Sequence, residues 1–168
     1  MVKEAWDADR IVNNVARVVE RARAEGVPVI WVQHEDGELI RDSPEWQWAP
    51  ELMPADGEVR IYKGFNSSFE QTELEAELAK LGATHVILAG AATNWCIRAT
   101  AYGALERGYD LTLVKDAHTT GTMEFEDGSV IEAANIIKEL NIGMTWVSYP
   151  GRTNGTATAE EVNFSQAG

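Results

Sequence analysis

Apolar residues recur along the chain in two alternating rhythms. Ile11, Val12, Val15, Val18, Val19 and Ala22 stand at helical spacing, after Asp7 or Asp9 as a candidate cap. Arg21 and Arg23 fall in the last turn and Gly26 follows as a stop. Residues 27–32 form a β-rich run, which predicts a buried strand ending near Gln33 and His34. A short strand is predicted over 59–62. Thr72-Glu73-Leu74-Glu75 fits a capping box, with Thr72 as cap and Glu75 reaching back. The helix it opens carries Leu74, Leu78 and Leu81 as far as Gly82. A strand over 84–89, a helix over 96–107 closed by Gly108 and a strand over 110–115 follow. Residues 129–132 can cap a helix bearing Val130, Ile131, Ile136, Ile137 and Leu140, and 144–149 reads as a last strand. Helix and strand thus alternate from Asp7 to Tyr149. That order predicts an α/β fold: a three-layer open parallel sheet with helices on both faces.

Two stretches break the rhythm. Residues 35–58 have no period and hold Gly37, Pro44, Pro50, Pro54 and Gly57 together with Trp46 and Trp48. An irregular segment of that length with two tryptophans predicts a packed, lid-like loop or one side of a subunit contact. The tail, 150–168, is rich in Gly, Thr and Ala and is expected to wrap over a surface or another subunit.

Composition narrows the class. A chain of 168 residues with 45% hydrophobic content and six tryptophans is expected to be one folded domain, 1–168. Fourteen Lys and Arg against 27 Asp and Glu give a net charge of -13, which argues against nucleic acid or an anionic membrane as partner. Solubility is the simple account of the acidity. A single cysteine excludes an intrachain disulfide and suits a reducing compartment. No apolar run is long enough to cross a bilayer, and the start lacks a signal-peptide pattern, so a cytoplasmic location is expected. The sequence carries no internal repeat, Gly-rich phosphate loop or metal motif, and His34, His85 and His118 do not form a ligand cluster by spacing.

The candidate chemistry centres on residues 86–101. An apolar run meets Gly90, Ala91 and Ala92, then a short polar turn, then a helical pattern with Cys96 at its start. A helix N-terminus presents free N–H groups and a partial positive charge, both of which favour a thiolate. Small residues before it let the backbone turn sharply and bring N–H groups near a bound oxyanion. The competing reading is a cysteine that is only a small buried hydrophobe. His34, at a predicted strand end, could line a site or be a structural histidine; Asp116 and His118, at another, could do so or brace a loop.

Gly90-Ala91-Ala92-Thr93-Asn94-Trp95-Cys96 resembles the motif of the isochorismatase-like cysteine hydrolases, which include nicotinamidases and related amidases. The resemblance runs on through Arg98-Ala99-Thr100-Ala101, through 104–109 and through Asp116-Ala117-His118-Thr119-Thr120. Upstream, 27–34 is similar to the family's second strand, Lys63 matches its lysine position, and Pro150-Gly151-Arg152-Thr153 is similar to the tail of one subgroup. The resemblance implies a cysteine hydrolase that cleaves a C–N bond of a small amide through a Cys-bound acyl intermediate. Cys96 would be the nucleophile and Lys63 would stabilise its thiolate and shuttle protons. A cis peptide would fall at Ala91–Ala92, and the N–H groups of Ala92 and Cys96 would form the oxyanion hole. Trp31, Phe65, Trp95 and His118 are candidate walls of the substrate pocket. No cofactor is implied. Some nicotinamidases carry a metal, but the expected aspartate and histidine cluster is not evident, so no metal is expected. The partners expected are a small-molecule substrate and further copies of the chain as a homo-oligomer.

One feature of the family has no counterpart. Its third catalytic group is an aspartate at the end of a first strand that precedes the first helix, and the residues before Asp7 are too few for that strand and its connection. In the family's sheet that strand lies centrally, between those at 27–33 and 84–89. The expected domain is therefore N-terminally incomplete, through a start placed too far downstream or a shortened chain, through direct pairing of the two flanking strands, or through an edge supplied by a partner. Asp7 and Asp9 belong to the helix cap, and Asp116 is a weak substitute. The alternative function is a non-catalytic or impaired relative, serving as a ligand-binding or oligomeric scaffold.

Overall fold

The computed structural model describes residues 4–166. Helix α1 (Ala8–Ala24) buries Ile11, Val12, Val18 and Ala22. Asp7 stands at its N-cap with φ 52°, and its carboxylate pairs with Arg10 instead of capping a backbone N–H. Strands β1 (Ile30–His34) and β2 (Val59–Lys63) pair in parallel, with His34 opposite Lys63. The intervening loop packs back onto them: Trp46 is buried and stacks on Tyr62 at 5.8 Å, and Trp48 meets Trp31 edge-on at 5.1 Å.

Helix α2 (Leu74–Lys80) buries Leu74 and Leu78, while Leu81 ends exposed just beyond it. The predicted capping box does not form. Thr72 Oγ1 accepts only the N–H of Leu74, at 3.3 Å, and Glu75 turns outward to Arg107. Strand β3 (His85–Ala91), helix α3 (Arg98–Glu106) and strand β4 (Asp110–Thr119) follow.

The chain departs from its predicted course after β4. Met123–Glu124 (β5) and Val130–Ile131 (β6) form a small antiparallel hairpin, so Val130 and Ile131 precede the helix instead of lying on it. Helix α4 spans Ala133–Trp146 and takes in much of the predicted strand at 144–149. Its buried face repeats Ala133, Ile136, Ile137, Leu140 and Met144, so the helical period continues past the point where a strand was read. The last strand is instead β7 (Asn154–Ala157), parallel to β4, within the predicted tail. Asn-Gly-Thr-Ala carries no apolar run, which hides this strand in the sequence. After β7 the chain wraps over its own α1. Ala159, Val162 and Phe164 pack with Val18 and Ala22, and Arg21 donates to the carbonyls of Ala159, Glu160 and Val162. Residues 167 and 168 lie outside the described residues.

Parallel strands with helices on both faces give the α/β architecture. One core joins α2, α3 and α4 to Leu111 and Leu113 of β4; the other joins α1 and the tail to Val114 and Ala117. The sheet itself is divided: β1–β2 form one ladder and β3–β4–β7 another. Direct pairing of the strands flanking the proposed gap is therefore not the arrangement observed. Side chains bridge the divide instead. Ile30 and Val32 pack against the same core as Val86 and Leu88 on one face, and Val27 and Val29 against the same core as Ile87 and Ala89 on the other. Among the described residues no helix is long and apolar enough to cross a membrane.

Candidate active site

Strand alternation aims Lys63 inward. Val59, Ile61 and Lys63 share one face of β2, and the first two belong to the helix-covered core. Lys63 is 5% exposed. A buried ammonium is costly unless its donors are taken. Here Nζ lies 2.7 Å from the Phe65 carbonyl oxygen, 3.1 Å from Cys96 Sγ and 3.3 Å from His34 Nδ1. Three N–H bonds meet three acceptors.

Cys96 sits at the C-terminal end of β3, within a turn of π-helix (Thr93–Ile97) that leads into α3. The sequence predicts an α-helix start at this cysteine; the α-helix begins two residues later. A π-turn admits an extra residue and is frequent at functional sites. Gly90 precedes it with φ 128°, a conformation closed to most residues. The Ala91–Ala92 peptide is cis, and the Ala92 carbonyl accepts the N–H groups of Trp95 at 3.2 Å and Ile97 at 3.1 Å.

His118 supports this turn from beneath. It is fully buried, with Nδ1 2.8 Å from Thr93 Oγ1 and Nε2 2.9 Å from Asn141 Oδ1. Asn141 gives its amide N–H to the Lys115 carbonyl, so Oδ1 accepts from Nε2–H and Nδ1 accepts the Thr93 hydroxyl. Burial holds the imidazole below its ordinary pKa, which keeps it neutral. The structure thus makes His118 a buried brace with no exposed surface of its own. Asp116 accepts the N–H of Ala159 at 2.8 Å and so anchors the tail.

The other candidate pocket walls separate. Phe65 and Trp95, 49% and 51% exposed, flank Lys63 and Cys96 in the chain and are open to solvent. Trp31 is buried on the opposite face of β1 from His34, with its indole N–H on Glu58 at 2.6 Å. It is therefore not brought to the lysine and cysteine. Glu58 also binds Arg23 and the N–H of Ala55, and these contacts, Arg23 foremost, hold its carboxyl at a pKa of about 2.

Asp36 is not singled out by the sequence. Its Oδ2 lies 2.9 Å from His34 Nε2, and its Oδ1 accepts the N–H groups of Glu38 and Leu39. The Leu39 N–H first, then the imidazole, hold this carboxyl at a pKa of about 2. The Asx turn at 36–39 was a legible signal; its link to Lys63 was not. Ser68 and Thr100 were missed as well. Thr100 Oγ1 accepts the Ser68 N–H at 3.0 Å and so fastens the loop after Lys63 to α3. Among the described residues no group of three or more His, Cys, Asp or Glu could hold a metal ion.

The isochorismatase domain profile matches residues 1–141. The chain belongs to the isochorismatase family. A solved isochorismatase from Pseudomonas putida superposes on this family member with TM-score 0.83 and 31% identity, over 94% of this chain and 79% of that one. A streptothricin hydrolase of Streptomyces noursei is 32% identical, over 68% of this chain and 46% of its own length. A protein of Arabidopsis thaliana named as a probable inactive nicotinamidase is 30% identical, over 75% of this chain and 76% of its own. At the coarse level the protein is thus an isochorismatase-family hydrolase.

Proposed function

We propose that this family member cleaves the C–N bond of a small amide, with Cys96 as nucleophile and Lys63 as its partner. The observation that carries the reading is the 3.1 Å approach of a buried lysine nitrogen to the sulfur. The Cys96 thiolate adds to the carbonyl carbon, and the displaced electron pair settles on the oxygen. The N–H groups of Ala92 and Cys96 are the proposed donors to that oxyanion. Collapse breaks the C–N bond, and the leaving amine takes a proton from Lys63. Water then adds to the thioester and gives a proton back to Lys63. The C–S bond breaks, the acid leaves, and thiolate and ammonium are restored. The name of the streptothricin hydrolase relative is consistent with this class of reaction.

A second reading rests on a specific observation. None of the three groups on Lys63 Nζ is a carboxylate. A binding scaffold without turnover would need none, and one relative is named as probably inactive. Ammonia release from a panel of small primary amides separates the two. The hydrolase reading expects turnover in the wild type that Cys96→Ala abolishes. Turnover that survives Cys96→Ala, or ligand binding with no turnover in the wild type, would overturn it.

A further inference from the structure

Beyond Lys63, two more side chains continue the line that begins at the sulfur. Lys63 Nζ is 3.3 Å from His34 Nδ1, and His34 Nε2 is 2.9 Å from Asp36 Oδ2. Asp36 is fixed in place, because its Oδ1 accepts the backbone N–H groups of Glu38 at 2.8 Å and Leu39 at 2.7 Å. A carboxylate only accepts, so Nε2 carries the imidazole proton. Nδ1 then turns its lone pair to the ammonium and accepts the N–H that neither Phe65 nor Cys96 takes.

We propose that His34 and Asp36 are positioning residues of the Lys63–Cys96 pair: Asp36 fixes the tautomer of His34, and His34 fixes Lys63 Nζ against the sulfur. This rests on the hydrolase reading above and adds to it how the lysine is aimed. The parallel register makes the arrangement possible, since His34 and Lys63 are partners at the ends of β1 and β2. It also brings the charge of Asp36 to the lysine through one imidazole. The charged or titratable groups around His34 are Lys63 from β2, Cys96 beyond it in the π-turn, Asp36, and Glu35, which Arg41 neutralises at 2.6 Å. A bracing histidine would need only its bulk. A positioning histidine needs a lone pair at Nδ1, and that difference can be measured.

The experiment is the rate of iodoacetamide alkylation of Cys96 from pH 6 to 9 on the full chain, where it is the sole thiol. His34→Leu removes the acceptor. His34→Asn keeps an amide oxygen near the place of Nδ1. Asp36→Asn keeps Oδ1 on its two backbone N–H groups and turns an NH2 toward Nε2. The ring proton must then move to Nδ1 and face the ammonium, a reversed tautomer. His34→Leu and Asp36→Asn are expected to slow alkylation about tenfold at neutral pH and to flatten its pH profile, while His34→Asn stays within about threefold. Circular dichroism should match the wild type throughout. If His34→Leu does not fold, the nearly isosteric Asp36→Asn decides alone. A fast wild type whose rate neither His34→Leu nor Asp36→Asn changes would overturn the inference and leave the hydrolase reading standing. A wild type no faster than a free cysteine peptide would overturn both.

Discussion

Lys63 and Cys96 come from different ladders of a divided sheet, and each is aimed by its own neighbours. Lys63 is fixed by alternation along β2 and by its three acceptors; Cys96 is fixed by the π-turn between β3 and α3. His118 holds that turn through the Thr93 hydroxyl while resting on Asn141. His118→Ala would leave the buried Thr93 hydroxyl unpaired, take the imidazole N–H from the half-buried Asn141 Oδ1 and open a cavity. It is expected to lower stability by about 2–4 kcal/mol in urea unfolding. A loss below about 0.5 kcal/mol would mean the bracing hydrogen bonds carry no weight. Lys63 was picked out only by the family resemblance, whereas the cysteine and the small residues before it were legible as one compact motif. Asp36 and Asn141 were not. Their roles arise from register and from contact between distant segments, and neither leaves a periodic trace in the sequence.

At the scale of elements, the most informative contact is the Glu58 carboxylate. It ties the end of the 35–58 loop to Arg23 at the end of α1, to the indole of Trp31 in β1 and to the N–H of Ala55. Glu58→Ala is expected to cost about 2–3 kcal/mol at pH 7, because hydrogen bonds to a charged group are the stronger kind. The carboxyl is held at a pKa of about 2, below its ordinary value. Its stabilisation is therefore complete above that ordinary value and is lost as the pH falls toward 2. Urea midpoints at pH 6 and pH 3 should differ more in the wild type than in Glu58→Ala; equal differences would refute the assignment. Asn154 plays a similar part at the other end of the fold. Its amide donates to the carbonyls of Met144 at 2.7 Å and Val147 at 3.0 Å, so β7 closes the end of α4. Asn154→Ala is expected to destabilise by about 1–2 kcal/mol, read from the same urea midpoints. No change would detach the helix end from the strand. Strong apolar periods made α1, α2 and β4 legible in advance. The reach of α4 and the place of β7 were not, because Met144 continues a helical period through residues that also suit a strand, and β7 is held by backbone pairing with β4.

For the whole molecule, the division of the sheet is the dominant feature. Ladder β3–β4–β7 carries both cores, with Leu111 and Leu113 facing one and Val114 and Ala117 the other. Among the described residues ladder β1–β2 forms no backbone ladder with it and shares a side-chain core with it instead, while residues 86–91 of β3 remain partly exposed. Local opening follows packing and hydrogen bonding. Amide hydrogen exchange should therefore be slowest in β4 and clearly faster in β1 and β2; equal protection would show that the two ladders open as one. The alternation of helices and strands announced the α/β layers, but a break in hydrogen bonding between ladders leaves no mark on the apolar pattern. The site straddles that break, with Lys63 and His34 on one side and Cys96 on the other. The central claim is that a charged lysine activates the cysteine across it. The most direct test is the rate of Cys96 alkylation at pH 7 in the wild type and in Lys63→Met. The wild type should react at least about tenfold faster than the variant, because only it holds a positive charge against the sulfur. Equal rates would contradict the account.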